Sequence, residues 1–362
     1  MSRRSWRVLT AGVAAVAAHA WSAPPPPRLA VACASASASF PSLLAACTAS
    51  APRRHPPRAP SIVCLNRLLL EPSECEEDPD GRLVARLSAN DRRTEHVRRQ
   101  LKAVSGQTVR AGVLDAGATD SAELQWEEPA AGGGAGESAL RLELGRASTL
   151  LRPLADSRRP RVDLLLAMPR PLQFARLLPM LASMGVGTLW VTGARRVEKN
   201  YFSSHLLRAD NAAALRETLV QGLEQSGDTA VPRVVICREL TRVLRDELPP
   251  HPPPQGPPAC RLVCHPERPS SDAAASAAAA VSRLGQLDLP AGARVLLAVG
   301  PERGWEEGGA GDELALLAQH GFRPVTLGPR TLRTDVACVA LIAVAHERLA
   351  AADAQRADDQ RR

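Results

Sequence analysis

The sequence predicts an α/β protein: a parallel sheet covered by helices on both faces, preceded by a smaller β-barrel-like domain. Three observations predict it. After Arg158, apolar runs of strand length alternate with helix-compatible segments. Those runs lack period-two polarity, as strands buried on both faces do. Before Arg158 the apolar runs are short and separated by turn residues, with little helix between them.

In the first domain, residues 61–150, Val84 to Ser88, Thr108 to Leu114, Ser121 to Trp126 and Ala139 to Leu144 read as strands. His96 to Ala103 is the one short helix. Ala130 to Gly136, with four glycines in seven residues, reads as a flexible loop inserted in a hairpin. In the second domain, residues 159–350, the expected strands are Val162 to Ala167, Thr188 to Thr192, Arg233 to Cys237, Arg261 to Cys264, Val295 to Val299 and Pro324 to Leu327. The helices are Pro171 to Ser183, Asn211 to Gln225, Ala273 to Leu284, Asp312 to Gln319 and Asp335 to Leu349, and Pro249 to Pro258 is a proline-rich loop. Residues 351–362 read as a disordered tail.

At 362 residues, 45% of them hydrophobic and 23% charged, the chain has the composition of a soluble globular protein with ample core. A net charge of +7 favours an anionic partner, nucleic acid or an anionic surface. At 3%, aromatic residues are too few for recognition by rows of stacked bases. The eight cysteines show no paired spacing that would make a disulfide framework. Cys260, Cys264 and His265 lack a second pair for zinc and read as thiols packed at a strand end, so no metal is expected.

No Asp or Glu occurs before Glu71, while arginines recur among Ala, Ser and Pro. Residues 1–60 thus have the composition of an organelle transit peptide. The apolar stretch Val8 to Ala18 also fits a secretory signal core, but it is too short and alanine-rich to span a bilayer. Import into a plastid or mitochondrion is the expectation, with a cytoplasmic location if the segment is not a signal.

Two loops after strands stand out in the last third. Gly300-Pro301-Glu302-Arg303-Gly304-Trp305 follows Val299, and Leu327-Gly328-Pro329-Arg330-Thr331-Leu332-Arg333-Thr334-Asp335 leads into an apolar helix. Gly permits close backbone approach to a ligand, Pro stiffens the turn, and Thr334 and Asp335 are helix-capping types. Ligands of parallel sheets lie at the carboxyl ends of the strands, where both loops fall. Neither loop matches a Walker A loop or a G-x-G-x-x-G fingerprint, which argues against a small-molecule nucleotide enzyme. The residues themselves indicate a pocket walled by two rigid loops and leave its ligand open, with two structural turns as the plain alternative.

The stretch Val295 to Ala337 resembles the carboxy-terminal signature of the RsmE-type ribosomal RNA uracil-N3 methyltransferases. That pattern is a strand, G-P-E-G-G-[FW], a helix, a G-F-x-x-V strand and L-G-x-R-I-L-R-x-E-T-A. Here it is matched by Gly300 to Trp305, by Gly321-Phe322-Arg323-Pro324-Val325 and by Leu327 to Asp335. Upstream, Glu224-Gln225-Ser226-Gly227 is similar to an E-Q-S-G helix end, and Val197 to Phe202 to a V-E-K-S-Y-F segment. Glu95 to Leu101 stands in place of an H-x-x-x-V-L-R helix. The resemblance runs from about Cys64 to Leu349.

The family is part of the SPOUT superfamily, so the resemblance implies a carboxy-terminal trefoil knot, a PUA-like barrel as RNA-binding domain, a homodimer, and S-adenosylmethionine as cofactor. Small-subunit, 16S-type ribosomal RNA is the implied partner, with no membrane. Uracil N3 is a poor nucleophile until its proton leaves, so the site must align N3 with the methyl group and stabilise the base anion. Arg333 is the first candidate for that cation and Arg330 the second, holding RNA phosphate. Glu302 is expected to accept from cofactor or base, to orient an arginine, or to act as base. Leu297, Val299, Gly300, Pro301, Gly304, Leu327, Gly328, Leu332 and Thr334 are expected around the cofactor. Arg92, Arg93, His96, Arg98, Arg99 and Lys102 form a basic cluster for RNA, with Lys199 and Asn200 joining it. Arg303 departs from the family's glycine, which matters if that position needs positive φ. A catalytically weakened RNA-binding ribosome-assembly factor of the same fold is therefore the alternative. Thr331 in place of Ile is a mild change, and Asp335-Val336 replaces Glu-Thr.

Overall fold

The computed structural model describes residues 66–128, 138–253, 257–265, 281–309 and 311–362. The amino-terminal extension, the Ala130 to Gly136 loop and most of the Ala273 to Leu284 helix lie outside the described residues.

Six strands build the first sheet: β1 (Leu68–Leu70), β2 (Cys75–Glu77), β3 (Arg82–Leu87), β4 (Thr108–Val113), β5 (Ala118–Glu127) and β6 (Ala139–Arg146). Their order is β1-β4-β5-β6-β3-β2, antiparallel except where β1 runs parallel to β4. Alternation sets the core, since Leu140, Leu142 and Leu144 point inward along β6 and meet Ala122 and Leu124 of β5. Sequence patterning missed two strands. β1 is three buried leucines without alternation, and β2 is a polar edge. The helix expected at His96 begins earlier, as α1 (Arg92–His96), where Asp91 caps the Arg93 N–H; it widens over Val97–Leu101 and closes at Lys102 with φ 50°. A single turn, α2 (Ala147–Leu150), follows β6.

The second sheet is wholly parallel: β7 (Val162–Ala167), β8 (Val186–Thr192), β9 (Arg233–Cys237), β10 (Ala259–Cys264), β11 (Ser282–Arg283), β12 (Arg294–Val299) and β13 (Phe322–Thr326), in the order β11-β13-β10-β12-β7-β8-β9. Both faces are covered. Leu164, Leu166, Leu189 and Leu297 pack with α3 (Pro171–Ser183), α4 (Ala212–Ser226) and the carboxy-terminal helix. Leu165, Trp190, Leu296 and Ala298 pack on the other face beneath the short α5 (Leu240–Arg242) and α6 (Glu313–Gln319). That is why β7 is buried at every position and carries no polar alternation. Pro171 opens α3 at a position where its missing N–H is harmless. Gly222 lets α4 approach α3, since a Cβ there would lie 2.2 Å from the Pro179 carbonyl. Gly227, with φ 75°, ends α4 in the left-handed conformation.

Arg67, 7% exposed, ties the first sheet to the end of α4. Its guanidinium donates to the carbonyls of Gly227, Ala111 and Thr119 and to Asp120 at 2.7–2.9 Å.

Two expectations are corrected. The end of the helix expected to Leu284 is strand, because Ser282 and Arg283 pair with β13. The tail expected to be disordered is helical: α7 runs Thr334–Asp359. Its distal part is alanine-rich, and Asp353 anchors it by pairing with Arg161 and accepting from the Gly292 N–H. No described helix is long and apolar enough to cross a membrane.

Candidate functional site

β13, β10 and β12 are neighbours in the sheet, and their carboxyl ends at Thr326, Cys264 and Val299 form the floor of one pocket. The two loops singled out in the sequence are its walls, and the first turns of α7 close it through Thr334, Ala337 and Leu341. The pocket encloses about 690 Å³, its mouth included.

Glycine conformation shapes the first loop. Gly304 has φ 73°, and Gly300 faces the Trp305 indole so closely that a Cβ would lie 3.1 Å from its Nε1. Trp305 is 1% exposed, and its buried Nε1 has no hydrogen-bond partner. The second loop starts from a tight turn in which the Gly328 N–H donates to Thr326 Oγ1 at 3.0 Å and that hydroxyl donates to the Gly328 carbonyl at 3.1 Å. Gly328 has φ 120°, a conformation that a larger residue adopts only with strain. Behind the first loop, the buried Glu313 accepts from the N–H groups of Arg195 and Glu306 at 2.8 and 2.9 Å. Arg196 donates to the Arg303 carbonyl at 2.7 Å and to Glu306 at 2.9 Å. These bonds hold the loop open as a preformed wall.

Of the expected cofactor-loop residues, Val299, Gly300, Pro301, Gly304, Leu327, Gly328, Leu332 and Thr334 line the pocket together with Glu302 and Arg330. Leu297 does not; it is wholly buried in strand core, one turn of the pleat below the rim. Arg333 does not line the pocket either. It is 74% exposed, pairs with Asp335 at 3.1 Å and stands at the amino end of α7, so Arg330 is the arginine on the wall. Asp335 spends its other oxygen on the Val336 N–H rather than on a cap of the helix start. Glu302 lies 3.5 Å from Arg170. Arg303 has no positive φ, since only Lys102 and Asp115 among described non-glycine residues do, so glycine is not required there.

Sequence reasoning missed His265 and Cys264 as wall residues. His265 Nε2 lies 2.9 Å from Glu307, which the strand pattern alone had no means of bringing near. Burial, then the charge of Cys338, pushes the Cys264 thiol far above its ordinary range. Burial likewise pushes Cys338 up to about 12, so neither is a thiolate at neutral pH.

The basic cluster of the first domain divides. Arg93 is bonded to Glu74, Asp91 and the Leu69 carbonyl, and Arg92 reaches across to Glu217 and Glu224. Both are therefore structural ties rather than free phosphate ligands, because their donors point at internal acids. Arg98 lies over the Trp126 ring at 5.0 Å and donates to the Ser138 carbonyl, and Arg99 pairs with Glu95 at 2.9 Å. His96 lines a cavity with Arg67 and Arg110, and Lys102 is exposed. Lys199 and Asn200 are exposed on a short helical turn after β8.

Residues 157–346 match the family described as an RNA methyltransferase domain. The chain is 28% identical over 268 residues to ribosomal RNA small subunit methyltransferase E of Treponema pallidum (strain Nichols), spanning 71% of this chain and 84% of that protein. It is similar in structure to ribosomal RNA small subunit methyltransferase E from Neisseria gonorrhoeae bound to S-adenosyl methionine. There the identity is 20%, the TM-score 0.53, and the coverage 78% of this chain and 97% of that one. A methyltransferase from Legionella pneumophila, solved in complex with S-adenosylmethionine, aligns with 18% identity and TM-score 0.50 over 80% of this chain and 98% of that one. At such identities the two structures show a shared fold. The family match, covering more than half of the 362 residues and containing both pocket loops, identifies the chain as a member of the RNA methyltransferase domain family.

Proposed function

We propose that this protein transfers a methyl group from S-adenosylmethionine to N3 of a uracil in small-subunit ribosomal RNA. The observation that carries the reading is one pocket, over the ends of three adjacent parallel strands, walled by both signature loops. Its residues fit the cofactor. Gly300 lets the Trp305 indole pack flat against the loop backbone, and the orphaned Trp305 Nε1 is an unused polar group at that wall. Val299, Leu327, Leu332 and Leu341 supply apolar walls, and the backbone of Gly304 and Gly328 is open to close approach. When bound, the cofactor supplies an activated sulfonium methyl.

The chain's own part is positioning and electrostatics. The pocket walls exclude water and hold the base in line. Arg330, on the wall, stabilises charge at the uracil oxygens once the N3 proton has passed to solvent, so that N3 can take the methyl group as its bond to sulfur breaks. Glu302, paired with Arg170, is placed to accept a hydrogen bond from base or cofactor. The same reading includes a trefoil knot, supported by the way β12 and β13 flank the earlier β10, and a PUA-like role for the first sheet. It includes a homodimer, supported by Leu327, Leu332 and Val336 exposed around the pocket mouth. An organelle location rests on the acid-free extension alone.

Isothermal titration of S-adenosylmethionine into the full chain, followed by nucleoside mass spectrometry of incubated ribosomal RNA, tests the reading. One site per subunit and N3-methyluridine are expected. Absence of cofactor binding by folded protein, or methylation at another atom, refutes it.

A further inference from the structure

A second concavity lies at the carboxyl edge of the parallel sheet, over the ends of β8 and β9. It encloses about 1950 Å³ and is open to solvent. Gly193 and Arg238 meet at its base so tightly that a Cβ on the glycine would lie 2.2 Å from the Arg238 carbonyl, which fixes the groove's floor. Arg195, Lys199 and Arg238 line it. Arg238 is held against the Phe202 ring at 5.8 Å.

The lining acids are turned to other work. Asp312 accepts from the N–H groups of Gly308 and Ala315, and Glu313 from those of Arg195 and Glu306. Glu239 is the remaining lining acid and is exposed. The partition between groove and transfer pocket is formed by residues 303–309 and the start of α6, braced by Arg196. Arg303 is exposed on that partition, beside the pocket-lining Gly304, and its guanidinium makes no hydrogen bond or ion pair among the described residues. Lys199 is likewise exposed and unpaired among them.

We propose that this groove holds the single-stranded RNA flanking the target nucleotide. Lys199 and Arg238 contact its phosphates, and Arg303 sits where the strand turns over the partition into the transfer pocket. The inference rests on the RNA methyl-transfer reading and adds to it a path for the substrate. An open, fixed trough with cations along it suits a polyanion, whereas a small ligand calls for enclosure. Arg303 thereby becomes a recognition residue on the substrate path.

The test uses the full chain and a labelled oligouridylate, with binding read by fluorescence anisotropy over a range of salt. S-adenosylmethionine titration is run on the same preparations. Lys199→Gln with Arg303→Gln removes two cations without touching any hydrogen bond in the structure, and adding Arg238→Gln removes a third. Each lost phosphate contact is expected to make the slope of log affinity against log salt shallower by about 0.7. The double variant should bind the RNA roughly tenfold more weakly at low salt, with cofactor affinity unchanged. Should the triple variant misfold, the double variant decides. An unchanged slope with cofactor binding intact overturns the groove and leaves methyl transfer standing. An unaltered protein that binds cofactor but no RNA overturns the RNA reading itself.

Discussion

The first sheet and the carboxyl edge of the parallel sheet are both rich in arginine, and they spend it differently. Around the first sheet Arg67, Arg92 and Arg93 are bonded to carbonyls and acids that belong to the fold. At the carboxyl edge Lys199, Arg303 and Arg330 have no ion-pair partner among the described residues. Cations whose donors are used internally stabilise a fold and are poor phosphate ligands. Exposed unpaired cations gain little for the fold and are available to a polyanion. Charge content alone therefore does not distinguish the two regions; pairing does.

That contrast can be broken most sharply at Arg67. Arg67→Ala leaves the buried carbonyl of Ala111 and the half-buried one of Gly227 without their donor, and should cost about 3 kcal/mol in urea unfolding. Arg303→Gln should leave unfolding unchanged within about 0.5 kcal/mol. If both variants are equally stable, the division is wrong.

The pocket gives the next largest effect. Gly300→Leu drives a side chain into the Trp305 indole and should weaken S-adenosylmethionine binding at least about tenfold by titration, with the fold retained.

Arg93→Gln sharpens the internal side. Burial alone would raise the carboxyls of Glu74 and Asp91, but hydrogen bonds and charge from Arg93 outweigh it and hold both below the ordinary carboxylate range. Their folded values are depressed, so the contribution is full above the unfolded pKa near 4 and is lost as pH falls through the folded values. The variant should lose about 2 kcal/mol at pH 7 and show a flatter stability profile below about pH 4. An unaltered acid limb would assign the acid sensitivity to other carboxylates.

The smallest effect separates two neighbours. Arg330→Ala should lower methyl transfer more than Arg333→Ala does, because only the former side chain lines the pocket. The reverse order in single-turnover assays would restore Arg333 to the reacting base.

Much of the architecture was legible in the chain. Val162–Ala167, Pro171–Ser183 and Arg233–Cys237 match their expected spans, because a largely apolar hexamer, a proline-opened amphipathic run and a β-branched run each have one good local solution. Both pocket loops were legible too, since Gly and Pro punctuate the backbone whatever surrounds them. β1 and β2 were not, being strands only because β4 and β3 offer them hydrogen bonds. The helical end of α7 was hidden for the same reason: Asp353 anchors it through Arg161 and Gly292, far away in sequence.

Sequence by itself determined which residues form the two loops and that they follow strands of a parallel sheet, for local backbone preferences and apolar runs act over a few residues. Tertiary structure decided which arginine faces the pocket, which basic residues are tied to acids, and that His265 stands beside Glu307. The pocket face, the Arg92–Glu224 tie and the His265–Glu307 pair depend on strand order and on partners distant in sequence, which no local pattern encodes.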